Sequence, residues 1–418
     1  MSLSEIPIDV LKDEIAALLV EMSAHTDEPE EPGVTRLLYS ASWLSAQAAL
    51  AARMVEAGLE VRYDNVGNLY GRIGGTRGGE AAVLTGSHID TVRHAGQYDG
   101  AYGIAAGIAA LGYLKRTFGR PVRPLEVVSF CEEEGSRFPI AYWGSGNATG
   151  IYDWRQAGAY KDEDGVSLEE AMRAAGFGRA DGPDCRLAPL AGFVELHIEQ
   201  GLVLEHRNRR IGIVETIAGQ RRYALAIGGA ANHAGTTPMT LRQDALAGAA
   251  EMALKLESLA SSWGEPLVAT VGKIEASPNT PNVIPGFVEM TLDIRHSDEW
   301  SLSAFSDLVL NEIQRIADRR RLRLGVTPWL ATKPVPMSER LTARVEAACA
   351  GLSLSYQRMV SGAGHDAQLL APVCPTTMIF VPSRAGVSHS PDEYTTPEQL
   401  AEGAAVLVSV LYDLAYKE

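Results

Sequence analysis

The sequence is short of cysteine, of positive charge and of long apolar runs. Its four cysteines, Cys131, Cys185, Cys349 and Cys374, show no paired spacing. That excludes a disulfide scaffold or a zinc-finger array and points to a reduced compartment. Lysine and arginine number 37 against 52 aspartates and glutamates, a net charge of -15. A sequence-independent nucleic-acid binder would need a basic surface, so no nucleic-acid partner is expected. A small anionic substrate remains compatible, because a few arginines reverse the field inside a cleft. No stretch approaches the roughly 18 apolar residues of a membrane span, so no membrane partner is expected. The start, MSLSEIPIDVLKDEIAALLVEM, carries acids and reads as an amphipathic helix rather than a signal peptide, which makes the cytoplasm the expected location. There is no internal repeat and no low-complexity tract.

What is present is an ordinary soluble composition, 46% apolar and 21% charged, in 418 residues. That length exceeds one ordinary core and predicts two domains. Helical periodicity marks Ile8–Met22, Ala41–Ala57, Gly103–Lys115, Ala245–Leu259, Leu302–Arg315 and Leu400–Tyr416. Ser167 and Glu170 form a capping-box start for a helix Leu168–Ala175. Compact apolar runs at Ala81–Thr85, Leu125–Phe130, Phe193–Leu196 and Thr377–Val381 read as buried parallel strands. The fold class is α/β, with sites expected at the carboxyl ends of the strands. Between about Ile217 and Leu330 the pattern changes. Tyr223–Gly228 and Phe287–Arg295 alternate partly, as antiparallel strands with one buried face do. A small α+β domain at 217–330, inserted between catalytic segments 1–216 and 331–418, accounts for this.

Polar residues follow each expected strand. Gly86-Ser87-His88-Ile89-Asp90 comes after the first, and Glu132-Glu133-Glu134 after the second. Glu195-Leu196-His197-Ile198-Glu199-Gln200 closes the third, Val387-Ser388-His389 trails the fourth, and Asp99 lies between the first two. A lone histidine at a strand end is usually satisfied by hydrogen bonds, and adjacent glutamates usually begin a solvated helix. Here the glutamates follow the buried run Val127-Val128-Ser129-Phe130, where massed carboxylates are costly without a cation. The chain has nine histidines, and three stand in separate motifs of this kind. His88, Asp99, Glu134, His197 and His389 thus form a ligand set suited to two divalent cations. Two such ions about 3.5–4 Å apart share a water and lower its pKa toward neutrality.

GSHIDTV, YDGAYG, EEEGSRF, ELHIEQG, NHAGTTPM, PNVIPG, DIR, GAGHDA and GVSHSPDE occur in order from about Gly33 to the C-terminus. In this the chain resembles the allantoate amidohydrolase and N-carbamoyl-L-amino-acid hydrolase family, the ureide-cleaving branch of the dinuclear zinc exopeptidases. The resemblance implies a zinc-exopeptidase-like catalytic domain, with a central mixed sheet flanked by helices, and an inserted α+β dimerisation or lid domain. It implies a homodimer through that domain and two divalent ions per subunit, zinc first, with manganese, nickel and cobalt as alternatives. By the same resemblance Asp99 bridges the ions, His88 and His197 complete one, and Glu134 and His389 the other. Asp90 would orient the His88 ring. Glu133 would be the general base, and His233, in many members reaching in from the partner subunit, would stabilise the oxyanion. Asn282 and Arg295 match residues that hold a substrate carboxylate, with Gln200 and Arg222 as weaker candidates. His365 is assigned to the pocket wall and not to the ligands.

Allantoate leads among the ureides. Gly33–Ser40 and Arg137-Phe138-Pro139 with Trp143-Gly144-Ser145-Gly146-Asn147 resemble allantoate hydrolases. Carbamoylases more often carry an arginine where Gly146 stands, and many allantoate enzymes also differ there. An N-carbamoyl-L-amino-acid, ureidoglycolate or β-ureidopropionate hydrolase is the alternative. Outside that class stand a dinuclear dipeptidase or aminopeptidase, against which ELHIEQG and NHAGTTPM speak, and a non-catalytic binding protein, which would be expected to lose a ligand or the base.

Overall fold

The computed structural model describes residues 6–417. They form two compact units: one runs up to Glu215 and includes 336–359 and the chain from Ala363, the other holds Thr216–Val335 and Val360–Gly362. Residues 331–335 fall in the second unit because the strand Arg323–Thr332 stays paired as far as Thr332 opposite Gln220.

The first unit is built on a nine-stranded mixed sheet. Across it lie Glu60–Tyr63, Leu69–Ile73, Leu125–Phe130, Ala82–His88, Leu190–Ile198, Thr376–Val381 and Ile211–Ile217, in that order. The inner pairings are parallel and the outer ones antiparallel. Ala82–His88, Leu125–Phe130 and Thr376–Val381 are buried at every residue, which is why they read as continuous apolar runs. Helices Ile8–Ser23, Ala101–Phe118 and Pro397–Tyr412 pack on one another over the sheet. Pro397 occupies the first turn of its helix, and Thr396 and Gln399 cap it reciprocally. Both bonds of the capping box expected at Ser167 and Glu170 form, at the head of Leu168–Ala174. The C-terminal helix ends at Tyr412, earlier than its periodicity predicts, and Asp413–Lys417 winds on as a π-turn.

Two strands run further than their apolar cores suggest. Ser87 and His88 stay in the ladder opposite Ser129 and Phe130, and His197 stays opposite Phe380. Both histidines therefore stand on the rigid sheet rather than in loops.

The second unit is a four-stranded antiparallel sheet in the order Arg323–Thr332, Gly219–Gly228, Phe287–His296, Val268–Ser277. Along Phe287–His296 every second residue from Val288 to His296 is buried. Val288, Met290, Leu292 and Ile294 pack there with Met252 and Phe305 from helices Ala245–Trp263 and Glu299–Arg320. Each such side chain stabilises by about 1.5–3 kcal/mol when fully buried. Asp244 and Asp298 cap the two helices through the amides of Ala247 and Ser301.

No helix among the described residues is long and apolar enough to cross a membrane. All four cysteines are buried free thiols.

Candidate metal centre

The parallel strands deliver their polar ends to one place in the first unit. Ala82–His88 supplies His88, Leu190–Ile198 supplies His197, and the turn after Leu125–Phe130 supplies Glu133 and Glu134. Asp99 lies just before helix Ala101–Phe118, and His389 in the loop after Thr376–Val381. Left-handed backbone at Glu132, Gln200 and His389, with φ of 51°, 56° and 53°, marks the turns at these strand ends.

Asp99 is the hub. Its Oδ1 lies 3.2 Å from His197 Nε2 and 3.8 Å from His88 Nε2. Its Oδ2 lies 3.1 Å from His389 Nε2, which is itself 3.4 Å from Glu134 Oε1. Ligand atoms of His88, Asp99 and His197 lie within 4.8 Å of one another, and those of Asp99, Glu134 and His389 do likewise. The two oxygens of one carboxylate thus face two separate groups. Glu133 Oε2 stands 3.9 Å from His88 Nε2; outside the two groups that share Asp99, Glu133 forms a further close set with His88 and Glu134, and His365 one with Glu195 and His197.

The electrostatics call for positive charge. Burial, reinforced by Glu134, Asp366 and Asp90, pushes the Glu133 carboxyl well above its ordinary range. Burial with the charges of Asp99 and Asp90 does the same to Glu134. Burial opposes ionisation at Asp99 as well, but hydrogen bonds from His197 and His389 hold it well below the usual carboxylate range. Burial would lower His197, yet Asp99 raises it to about 9. Asp90 Oδ1 is buried with no hydrogen-bond partner among the described residues. Hard oxygen and imidazole donors massed in this way fit divalent cations.

Neighbours fix the ligands. His88 Nδ1 meets the Asp90 main-chain carbonyl at 2.9 Å, whereas the Asp90 carboxylate is 3.9 Å away. Asp90 Oδ2 instead accepts the Glu134 amide at 3.1 Å, so the expected orienting contact runs through the backbone. His197 Nδ1 meets the Ile198 carbonyl at 2.9 Å, while its Nε2 accepts the Gly100 amide at 3.2 Å and faces Asp99 Oδ1. Gln200, expected at the substrate, donates Nε2 to Asp99 Oδ2 and to Ser388 Oγ, each at 3.0 Å. His365 is buried, its ring 4.6 Å from that of His197 and edge-on to it. Glu195, Ser388 and Glu393 had no role assigned from sequence. Glu195 accepts from Ser87 Oγ and from the Ala367 amide, tying the His365 loop to the sheet. ELHIEQG and GVSHSPDE contain these residues, but motif spacing does not reveal hydrogen bonds between segments far apart in the chain.

The remaining candidates lie in the second unit. The short strands Asn232–His233 and Val283–Ile284 pair, and the Ala234 amide donates to the Asn282 carbonyl at 2.9 Å, so His233 and Asn282 are neighbours. His233 is exposed, and its Nδ1 accepts the Gly235 amide at 3.1 Å. A neutral ring then carries its proton on Nε2, as a donor. Arg222 and Arg295 converge on Asp293, and Arg222 also lies over the Trp329 ring, 5.2 Å from its centroid. In the first unit, a Cβ at Gly146 would stand 2.1 Å from the Tyr152 ring, so that position is closed to a side chain.

In the first unit the ends of a mixed sheet thus gather two candidate metal-ligand groups around one aspartate. Residues 84–413 match the peptidase family M20/M25/M40, and the chain belongs to that family. It is 46% identical to the allantoate amidohydrolase of Bacillus subtilis, over 95% of this chain and 96% of that protein. It is 37% identical to an N-carbamoyl-L-amino-acid amidohydrolase of Paenarthrobacter aurescens, over 91% of this chain and 93% of that one. The crystal structure of a hydantoinase/carbamoylase-family amidase from Burkholderia multivorans superposes with a TM-score of 0.93 at 34% identity, covering 97% and 98% of the two chains. The chain is an enzyme, an amidohydrolase acting on carbon–nitrogen bonds.

Proposed function

We propose that this enzyme hydrolyses one ureido C–N bond of allantoate, with release of ammonia and carbon dioxide. The observation that carries the metal chemistry is the division of Asp99, whose Oδ1 faces His88 and His197 while Oδ2 faces His389. His88, His197 and Asp99 would hold one divalent ion, and Glu134, His389 and Asp99 the other. When bound, such ions lower the pKa of a shared water and polarise the ureido carbonyl.

Protein side chains do the rest, those of the second unit coming from this chain or from a partner copy. Glu133, buried and outside the two groups that share Asp99, accepts the proton of the attacking water and delivers it to the departing nitrogen. His233 offers Nε2–H to the oxygen that gains charge at the ureido carbon. Arg295 and Asn282 hold the substrate carboxylate, with Arg295 suited to a planar, paired contact. Ammonia leaves first, and the carbamate that remains on the substrate loses carbon dioxide.

Two observations favour allantoate over an N-carbamoyl amino acid. Identity is 46% to the Bacillus subtilis allantoate amidohydrolase against 37% and 40% to the N-carbamoyl-L-amino-acid amidohydrolases of Paenarthrobacter aurescens and Geobacillus stearothermophilus. The Gly33–Ser40 segment and the Arg137-Phe138-Pro139 turn resemble those of allantoate hydrolases. Ammonia release from allantoate and from a panel of N-carbamoyl-L-amino acids tests the reading. A higher kcat/KM on allantoate is expected, and a higher value on any N-carbamoyl-L-amino acid would overturn it.

A further inference from the structure

Glu393 is buried, 4% exposed, although it stands in a loop after the Thr376–Val381 strand. Its Oε1 accepts the main-chain amides of Tyr98 and Asp99 at 3.0 and 3.1 Å. Its Oε2 accepts the Ser388 hydroxyl at 2.9 Å. The Ser388 oxygen in turn accepts Gln200 Nε2, which also donates to Asp99 Oδ2. The result is a closed ring of hydrogen bonds: Asp99 amide to Glu393, Ser388 to Glu393, Gln200 to Ser388, and Gln200 to the Asp99 carboxylate. Each donor and acceptor is used in a consistent direction. The ring ties together three separate segments, around Asp99, Gln200 and Glu393, its furthest bond joining positions 294 apart in sequence. A Cβ at Gly96 would fall 2.3 Å from Glu393 Oε1, so a glycine there leaves room for the carboxylate.

We propose that Glu393 is the positioning residue of the metal centre, holding Asp99 and the His389 loop in register while supplying no ligand atom itself. Asp99 must present one oxygen to each ligand group, so both its backbone and its carboxylate need fixing. Glu393 fixes the backbone amide, and Gln200, held through Ser388, fixes Oδ2. The same Glu393 holds Ser388, the residue before His389, and thereby sets where that imidazole begins. Groups behind metal ligands commonly govern affinity by about 10–100-fold. The inference rests on the proposed dinuclear reading, and its test separates the two.

Full-length apoprotein titrated with Co2+ provides the readout, through calorimetric affinity and the visible spectrum of the cobalt-loaded protein. Wild type is expected to take two ions. Glu393→Ala is expected to bind Co2+ about 10–100-fold more weakly with an altered spectrum, and Glu393→Gln, which keeps one acceptor, to recover part of the loss. Wild-type affinity and spectrum in Glu393→Ala would overturn the inference and leave the dinuclear reading standing. Fewer than two ions in wild type would overturn both. Melting of the apoproteins reports folding; if Glu393→Ala does not fold, Ser388→Ala cuts the ring at the hydroxyl. Weaker Co2+ binding by Ser388→Ala then supports the proposal, and unchanged binding overturns it.

Discussion

Asp293 grips Arg295 with both carboxylate oxygens, Oδ1 accepting from Nε at 2.8 Å and Oδ2 from Nη2 at 2.9 Å. Partial burial alone would raise the Asp293 carboxyl, but Arg295 and Arg222 hold it below its ordinary value. Arg295 Nη1 donates to the Gly362 carbonyl at 2.7 Å. Of the five guanidinium hydrogens, one on Nη1 and one on Nη2 then remain for a ligand. Arg295→Lys keeps the charge and loses this planar presentation. The expected result is about a 10–100-fold fall in kcat/KM for allantoate, mostly in KM, as one or two charge-assisted hydrogen bonds are lost. Steady-state kinetics with unchanged KM would remove Arg295 from the substrate site.

Glu133→Gln separates proton transfer from metal binding. Glu133 lies outside the two groups that share Asp99; it also sits with His88 and Glu134, where the amide still offers an oxygen, so the variant is expected to keep its ions. Its kcat is expected to fall about 10²–10⁴-fold with KM little changed. A variant that holds the wild-type complement of metal and turns over at the wild-type rate would rule out Glu133 as the base.

Gly146→Ala probes the closed wall beside Tyr152. The added Cβ would stand 2.1 Å from Tyr152 Cδ2 inside a buried helix. Overpacking of this kind costs about 1–3 kcal/mol. Denaturant unfolding should show that loss, and Tyr152→Ala in the same chain should restore part of it. No loss in the single variant would show that the ring yields freely.

Asp64, which belongs to none of the candidate metal groups, gives a pH dependence of its own. It is buried and accepts the amides of Val66 and Asn68 and the Asn68 side chain, yet burial lifts its pKa to about 7. The folded state therefore binds more protons than the unfolded state between roughly pH 4 and 7. Its contribution is most favourable below that window and is lost as pH rises through it. Asp64→Asn cannot ionise, so the stability difference between variant and wild type should shift in favour of the variant from pH 4 to 8. Parallel stability profiles over that range would contradict this.

Much of the first unit was legible because its strands are buried on both faces. Leu125–Phe130 was read with its observed bounds. Ala82–His88 and Leu190–Ile198 were cut short, because polar Ser87, His88 and His197 look like loop residues until their ladder partners are known. The strands Glu60–Tyr63, Val268–Ser277 and Arg323–Thr332 went unread, since exposed or irregular alternation leaves little apolar signal. The residues gathered around Asp99 were readable from type and strand-end placement. The Glu393, Ser388 and Gln200 ring was not, because hydrogen-bond partners so distant in sequence leave no periodic trace. Nor was the use of the Asp90 carbonyl in place of its carboxylate, a choice made by backbone geometry.

A pair of divalent ions bridged by Asp99 is the core of the proposed chemistry. Metal content of the purified full-length enzyme, wild type beside Asp99→Ala, tests it most directly. Two ions per chain in wild type, with both lost together in Asp99→Ala, is the expected result. Full turnover by a wild-type enzyme that holds one ion or none, or two ions retained without Asp99, would contradict it.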